Sequence, residues 1–192
     1  MTSARPLRLP ISLWDSETYR QESVKSDTLL GLQYGILLAM IFYNLFLFSS
    51  IRESSYLFYV LAIATQTVFI FLDSKHFRYL LDELYRGSWY VDMSERLIYP
   101  LLVVTALLFQ RSLLRIWEYN PRLEKVVQLT LGAFGIIVLL TAIPNEKVFQ
   151  YLFIFLHILT IPLAFYTNLD AIRRGIVTAV VHMAAISVFL AG

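Results

Sequence analysis

The chain has 192 residues, 58% of them apolar and 15% aromatic, and its 16 Lys/Arg and 14 Asp/Glu make up only 16% of it. That is richer in apolar and poorer in charged residues than a water-soluble domain, and far too hydrophobic for a disordered one. With no cysteine there is no disulfide scaffold, thiolate metal site or Cys nucleophile, and a net charge of +2 is too small to argue for a nucleic-acid partner.

The charges are not scattered. Uncharged stretches run over 28–51, 54–72, 97–110, 126–145, 148–169 and 175–192, so the charged residues crowd into the short segments between them. A bilayer core about 30 Å thick takes about 20 helical residues at 1.5 Å each, and four of the six stretches reach that length outright. The third lengthens if Arg96 and Arg111 lift their guanidinium heads toward the headgroups while burying their stems. The expected fold is therefore an all-α polytopic transmembrane helical bundle with spans near 29–50, 55–72, 94–114, 126–143, 148–168 and 175–192. Its partner is the lipid bilayer.

Taken in order, residues 1–28 read as a polar N-terminal segment, with Leu7, Leu9, Ile11 and Leu13 alternating against Arg8 and Ser12 as in a strand. The pattern turns helical around Asp27, where Ser26 or Asp27 is placed to cap. The segment lacks the apolar core of a cleavable signal peptide, so the first hydrophobic helix directs insertion. In that helix Gly31, Gly35 and Ala39 share one face, a spacing that lets helices approach closely in lipid and fits a helix contact or a homodimer. Asn44 lies deep in the same helix and needs a hydrogen-bond partner. After the short link SSIRESS, which forces an antiparallel hairpin, Thr65, Gln66 and Thr67 sit at mid-membrane depth, and Gln66 is a partner for Asn44 by depth.

Within the 73–96 loop, Phe77, Leu80, Leu81, Leu84 and Tyr85 follow a helical rhythm with Asp82, Glu83 and Arg86 between them. This reads as a short amphipathic helix on the bilayer surface, followed by Trp89 and Tyr90 at headgroup level. In the basic 110–125 connection, Asn120-Pro121 breaks or restarts a helix. The fourth span carries Gly132 and Gly135, the fifth His157 and Pro162, and the sixth His182. The sixth stretch meets Gly192 without a polar cap, an ending that points to a further helix beyond it.

With alternating loops, nine Lys/Arg fall on the side of the N-terminus and seven on the other, but the seven sit in much shorter connections close to helix ends. Basic residues there carry the orientation signal, which places the N-terminus outside a cytoplasmic membrane.

Little in the chain points to catalysis. There is no metalloprotease, nucleophile-elbow or phosphate-loop motif, and no Asp, Glu, Lys or Arg inside any stretch to serve as a proton relay. Two histidines on different helices make a poor metal or haem site, so no catalytic residue, metal or cofactor is expected.

The run LLGLQYGILLAMIFYNLFLFSSIRESSYLFYVL resembles the opening of the seven-helix region of bacterial receptors with diverse intracellular signalling modules, the 7TMR-DISM family. The residues that carry the likeness are Gly31, Tyr34, Gly35, Asn44, Tyr56 and Tyr59. LLFQRSLLRIWEYNPRLEK and RRGIVTAVVHMAAISVFLAG are similar to later parts of that region, and LPISLWDSETYRQES to the tail of the β-rich extracellular sensor domain that precedes it. The resemblance implies a seventh helix absent from the six counted, a small extracytoplasmic ligand and a cytoplasmic signalling output domain. It implies a membrane receptor that relays a signal without itself being an enzyme. A transporter or channel component is the alternative, with a polar cavity lined by Asn44, Gln66, His157 and His182.

Overall fold

A computed structural model describes residues 15–74, 89–141 and 146–191. In chain order it contains helices α1 (Ser16–Ile51), α2 (Ser54–Asp73), α3 (Trp89–Leu114), α4 (Ile116–Tyr119), α5 (Pro121–Leu140), α6 (Glu146–Arg173) and α7 (Val177–Ala191). The described residues thus form an all-helical bundle, as the charge-free stretches require. Among the described residues five helices are long and apolar enough to cross a membrane, and Val177–Ser187 of α7 is a shorter apolar helix. The count of six spans is therefore five full-length ones and one short one.

Each boundary has a local cause. At the α1–α2 link Arg52 turns left-handed (φ 58°) and returns its N–H to the Phe48 carbonyl at 2.8 Å, so the chain reverses within two residues. Asn120 caps α5 by accepting the Leu123 N–H on Oδ1 at 3.1 Å, with Pro121 in the first helical position, where its missing N–H costs nothing. The α6–α7 turn places Gly175 at φ +82°, with Gly175 N–H on the Ile172 carbonyl (2.9 Å) and Ile176 N–H on the Ala171 carbonyl (3.1 Å). This is the pair of bonds that closes a helix through a left-handed glycine.

The largest departure from the sequence reading is at the start. Helix α1 begins at Ser16, not at Asp27, and Asp15 stands at its N-cap without a side-chain bond. No Gly or Pro interrupts residues 16–30, and Glu17 accepts from both Arg20 (3.1 Å) and Gln21 (3.2 Å) one turn on. Residues 16–28 are thus helical. The alternating segment Leu7–Leu13 and the amphipathic stretch Phe77–Arg86 both lie outside the described residues. At 36 residues α1 is about 54 Å long, so its polar first turns project well beyond a 30 Å hydrocarbon core.

Helix α3 is the hub. It packs on α2 along one side and on α5, α6 and α7 along the other, and 39% of its apolar window is buried against 6% for α1, which packs chiefly on α2. Two apolar clusters fill the bundle. One, at the α3–α4–α5 junction, joins Leu114, Ile116, Leu123 and Val127 to the fully buried Ala171 and Ala179, whose small side chains let α6 and α7 approach. The other joins Val103, Leu107, Phe134 and Ile137. Phe42, Phe46, Leu129, Leu139 and Tyr151 stand outward and exposed, an arrangement that suits hydrocarbon and not water.

Candidate functional site

The antiparallel hairpins bring the α1–α2, α3–α5 and α6–α7 connections to one end of the bundle, here called the Asn120 end. The opposite end, where Phe153 lies, is the Phe153 end.

At the Asn120 end the helices are joined by directional polar bonds. Ser54 and Ser112 hydroxyls meet at 3.2 Å between α2 and α3. The Gln110 amide on α3 donates to the Ala164 carbonyl (2.8 Å) and to the Thr167 hydroxyl on α6. Asn168, fully buried, donates to the Ala164 carbonyl (2.7 Å) and meets His182 Nδ1 of α7 at 3.0 Å through its Oδ1. Arg111 Nε donates to Glu124 Oε1 across α3 and α5 (2.7 Å), and Asn120 donates to Asp170 on α6 (2.8 Å). Arg115 reaches Glu53 on the α1–α2 link at 3.1 Å. One end therefore holds polar bonds that tie α2, α3, α5, α6 and α7 together.

At the Phe153 end rings meet rings. Phe69 lies 5.1 Å from Tyr99, Tyr99 is 6.0 Å from Phe153, and Phe134 meets Phe153 edge-on at 6.3 Å. Such contacts prefer offset or edge-to-face arrangements but are less strictly directional than hydrogen bonds.

A cavity of about 770 Å3 opens at the Asn120 end between α1, α2, α3, α4 and the start of α7. Its wall includes Asn44 from α1 and Tyr56 and Tyr59 from α2, so three of the motif residues converge there. The Tyr59 ring rests 5.0 Å from Phe109, and the Phe109 ring in turn meets His182 at 5.6 Å. Glu53, Arg115 and Glu118 are its charged residues. Arg115 sits at the α3–α4 break in a left-handed conformation (φ 47°), an uncommon state for a residue with a side chain. Tyr119, also in the wall, lies under the Arg174 guanidinium at 5.0 Å. Burial, and secondarily the charge of Asp170, hold its phenol above the usual tyrosine range against the opposing pull of Arg174.

The other sequence candidates lie elsewhere. Asn44 is buried but donates to the Met40 carbonyl of its own helix (2.8 Å) and not to Gln66, which lies farther from the Asn120 end. Thr65 and Thr67 likewise bond back to Leu61 and Ile63 (2.8 Å each). Nothing described lies within 4 Å of a methyl group added at Gly31 or Gly35, and Ala39 is exposed, so that face packs on no helix among the described residues. The Tyr34 hydroxyl is buried without a hydrogen-bond partner among the described residues. His157 is exposed and stacks on Phe153 of its own helix (5.6 Å), far from His182, so Asn44, Gln66, His157 and His182 do not share one cavity. Among the described residues no three His, Asp or Glu side chains gather as a metal site.

The polar set of Gln110, Arg111, Glu124, Thr167, Asn168 and Asp170 escaped the sequence reading. Its one signal was the density of polar residues at helix ends that share a side, which depth alone does not turn into pairs.

A family model described as 7TM diverse intracellular signalling matches residues 26–192. No curated protein and no solved structure matches the chain.

Proposed function

The chain belongs to the 7TM diverse intracellular signalling family, a family of membrane receptor and signalling proteins, and from that premise we propose that it relays an extracytoplasmic signal through its bundle to a cytoplasmic output module. The proposal adds a direction. The Phe153 end faces outward, as the basic short connections at the other end favour, and the Asn120 end faces the cytoplasm.

The observation that carries this reading is the gathering of interhelical polar bonds at the Asn120 end. A signal-bearing bundle needs two packings of similar energy and a part that moves as a unit between them. Ring contacts at the outer end permit small shifts, while the bonded end carries α3, α5, α6 and α7 together. The chain itself holds no chemistry in this reading; the output module supplies it.

The absence of cysteine makes the test clean. Single substitutions Ser26→Cys and Arg173→Cys are expressed in a bacterial inner membrane and treated with a membrane-impermeant maleimide. The expected result is labelling of the first in intact cells and of the second only after the membrane is opened. The reverse pattern overturns the proposed direction of relay. Solute flux through liposomes carrying the folded protein would instead favour a transporter.

A further inference from the structure

The cavity at the Asn120 end has a chemistry that a passive packing gap does not need. Its wall is aromatic, from Tyr56, Tyr59, Phe109 and, at an exposed edge, Tyr43, and charge gathers on Glu53, Glu118 and Arg115. Its volume falls in the range of small-molecule sites. Arg115 lies 3.1 Å from Glu53 and 3.7 Å from Glu118, so one guanidinium serves two carboxylates and one negative charge is left over. Both carboxylates keep substantial exposure, 40% for Glu53 and 54% for Glu118, and remain accessible to a ligand.

We propose that this cavity binds an organic cation with an apolar body: an amine or quaternary ammonium group held between the carboxylates and tyrosine faces, with its hydrocarbon or aromatic portion against the inner wall. The electron-rich faces of the tyrosines attract a cation, and do so most strongly where water is excluded. An anion would meet the excess carboxylate. A bare metal ion would need a tighter set of ligands than any gathered among the described residues. A purely apolar guest would leave the charged groups without a role. The left-handed backbones at Arg115 and at Arg52, the residue before Glu53, set the two connections so that Glu53 and Arg115 meet at the mouth. The inference does not depend on which way the bundle crosses the membrane.

The cation could be the amine of a phospholipid headgroup or a free soluble amine, and one experiment separates them. The full chain is purified in dodecyl maltoside, which carries neither amine nor charge. Binding of (3-hydroxyphenyl)trimethylammonium is measured by equilibrium dialysis beside its neutral isostere, 3-tert-butylphenol. The expected result is saturable binding of the cation at one site, at least about tenfold tighter than the isostere. The double substitution Glu53→Gln with Glu118→Gln, and separately Tyr43→Leu, each weaken it severalfold with helical content unchanged by circular dichroism. Displacement of the probe by phosphatidylethanolamine identifies the lipid source; retention of the probe identifies a soluble amine, and both uphold the site. Equal binding of the two isosteres, or unchanged binding by both variants, overturns it.

Discussion

The two ends of the bundle are built from the same helices and hold together differently. Around Asn120, amides, carboxylates and a histidine join α3, α5, α6 and α7, and because most of these groups are buried, a bond lost there leaves a polar group unsatisfied. Around Phe153, among the described residues, rings pack on rings, contacts with a looser geometric preference than hydrogen bonds. The difference teaches that in this chain polarity sets register and apolar bulk sets only proximity. It also locates the stiff part of the molecule next to the cavity.

The sharpest break of that comparison is at Arg111. Glu124 is almost fully buried, its Oε2 has no partner, and its Oε1 is shared by Arg111 and Gln128. Arg111→Met leaves a buried carboxylate uncompensated, for an expected loss of about 3–5 kcal/mol in thermal unfolding in detergent. Adding Glu124→Leu to that variant recovers most of the loss. A drop under about 1 kcal/mol for the single variant would mean that the pair does not hold the end.

Gln110→Leu removes a donor shared by two acceptors on α6 and is expected to cost about 1–2 kcal/mol. At the other end Phe153→Leu keeps the apolar bulk and forfeits only the ring geometry, for about 1 kcal/mol. If the ring variant proves the costlier of the two, the contrast between the ends is reversed. Gly175→Ala tests the α6–α7 turn, where a methyl group must adopt a left-handed backbone; about 1 kcal/mol is expected.

The smallest effect is at the tip of α1. Arg20 and Gln21 hold the Glu17 carboxyl below its ordinary range. A carboxylate lowered in the folded state stabilises above its unfolded pKa and loses that stabilisation as pH falls through the folded value. Amide protection factors at residues 17–21, corrected for the intrinsic slowing of exchange at lower pH, should therefore fall on acidification while those in α3 do not change. Uniform protection across that pH range would show that Glu17 does not hold the first turn.

Much of this was legible in the sequence and some was not, for a definite reason. Charge-free stretches measure depth, so they located the membrane helices, and Asn120-Pro121 marked the start of α5 by cap chemistry alone. Depth says nothing about rotation. Asn44 was matched to Gln66 on that basis and instead satisfies itself within α1, while Arg111 and Glu124, both placed in one basic connection, turned out to be partners across two helices. The start of α1 was missed because its first turns are polar and carry no hydrophobic period; their support is the Glu17 pairing. Asn44, Tyr56 and Tyr59 converge on the cavity, but Glu118 and Tyr119 join them only because α3 breaks at Arg115.

The contrast between the ends is tested most directly by distance distributions from paired spin labels on the same two helices, which the cysteine-free chain allows without background. Lys125→Cys with Arg173→Cys reports the Asn120 end of α5 and α6, and Leu139→Cys with Tyr151→Cys reports the Phe153 end; all four positions are on exposed faces. In lipid nanodiscs the account predicts a narrow distribution for the first pair and a distinctly broader one for the second. Equal widths, or a broader distribution at the Asn120 end, would contradict it.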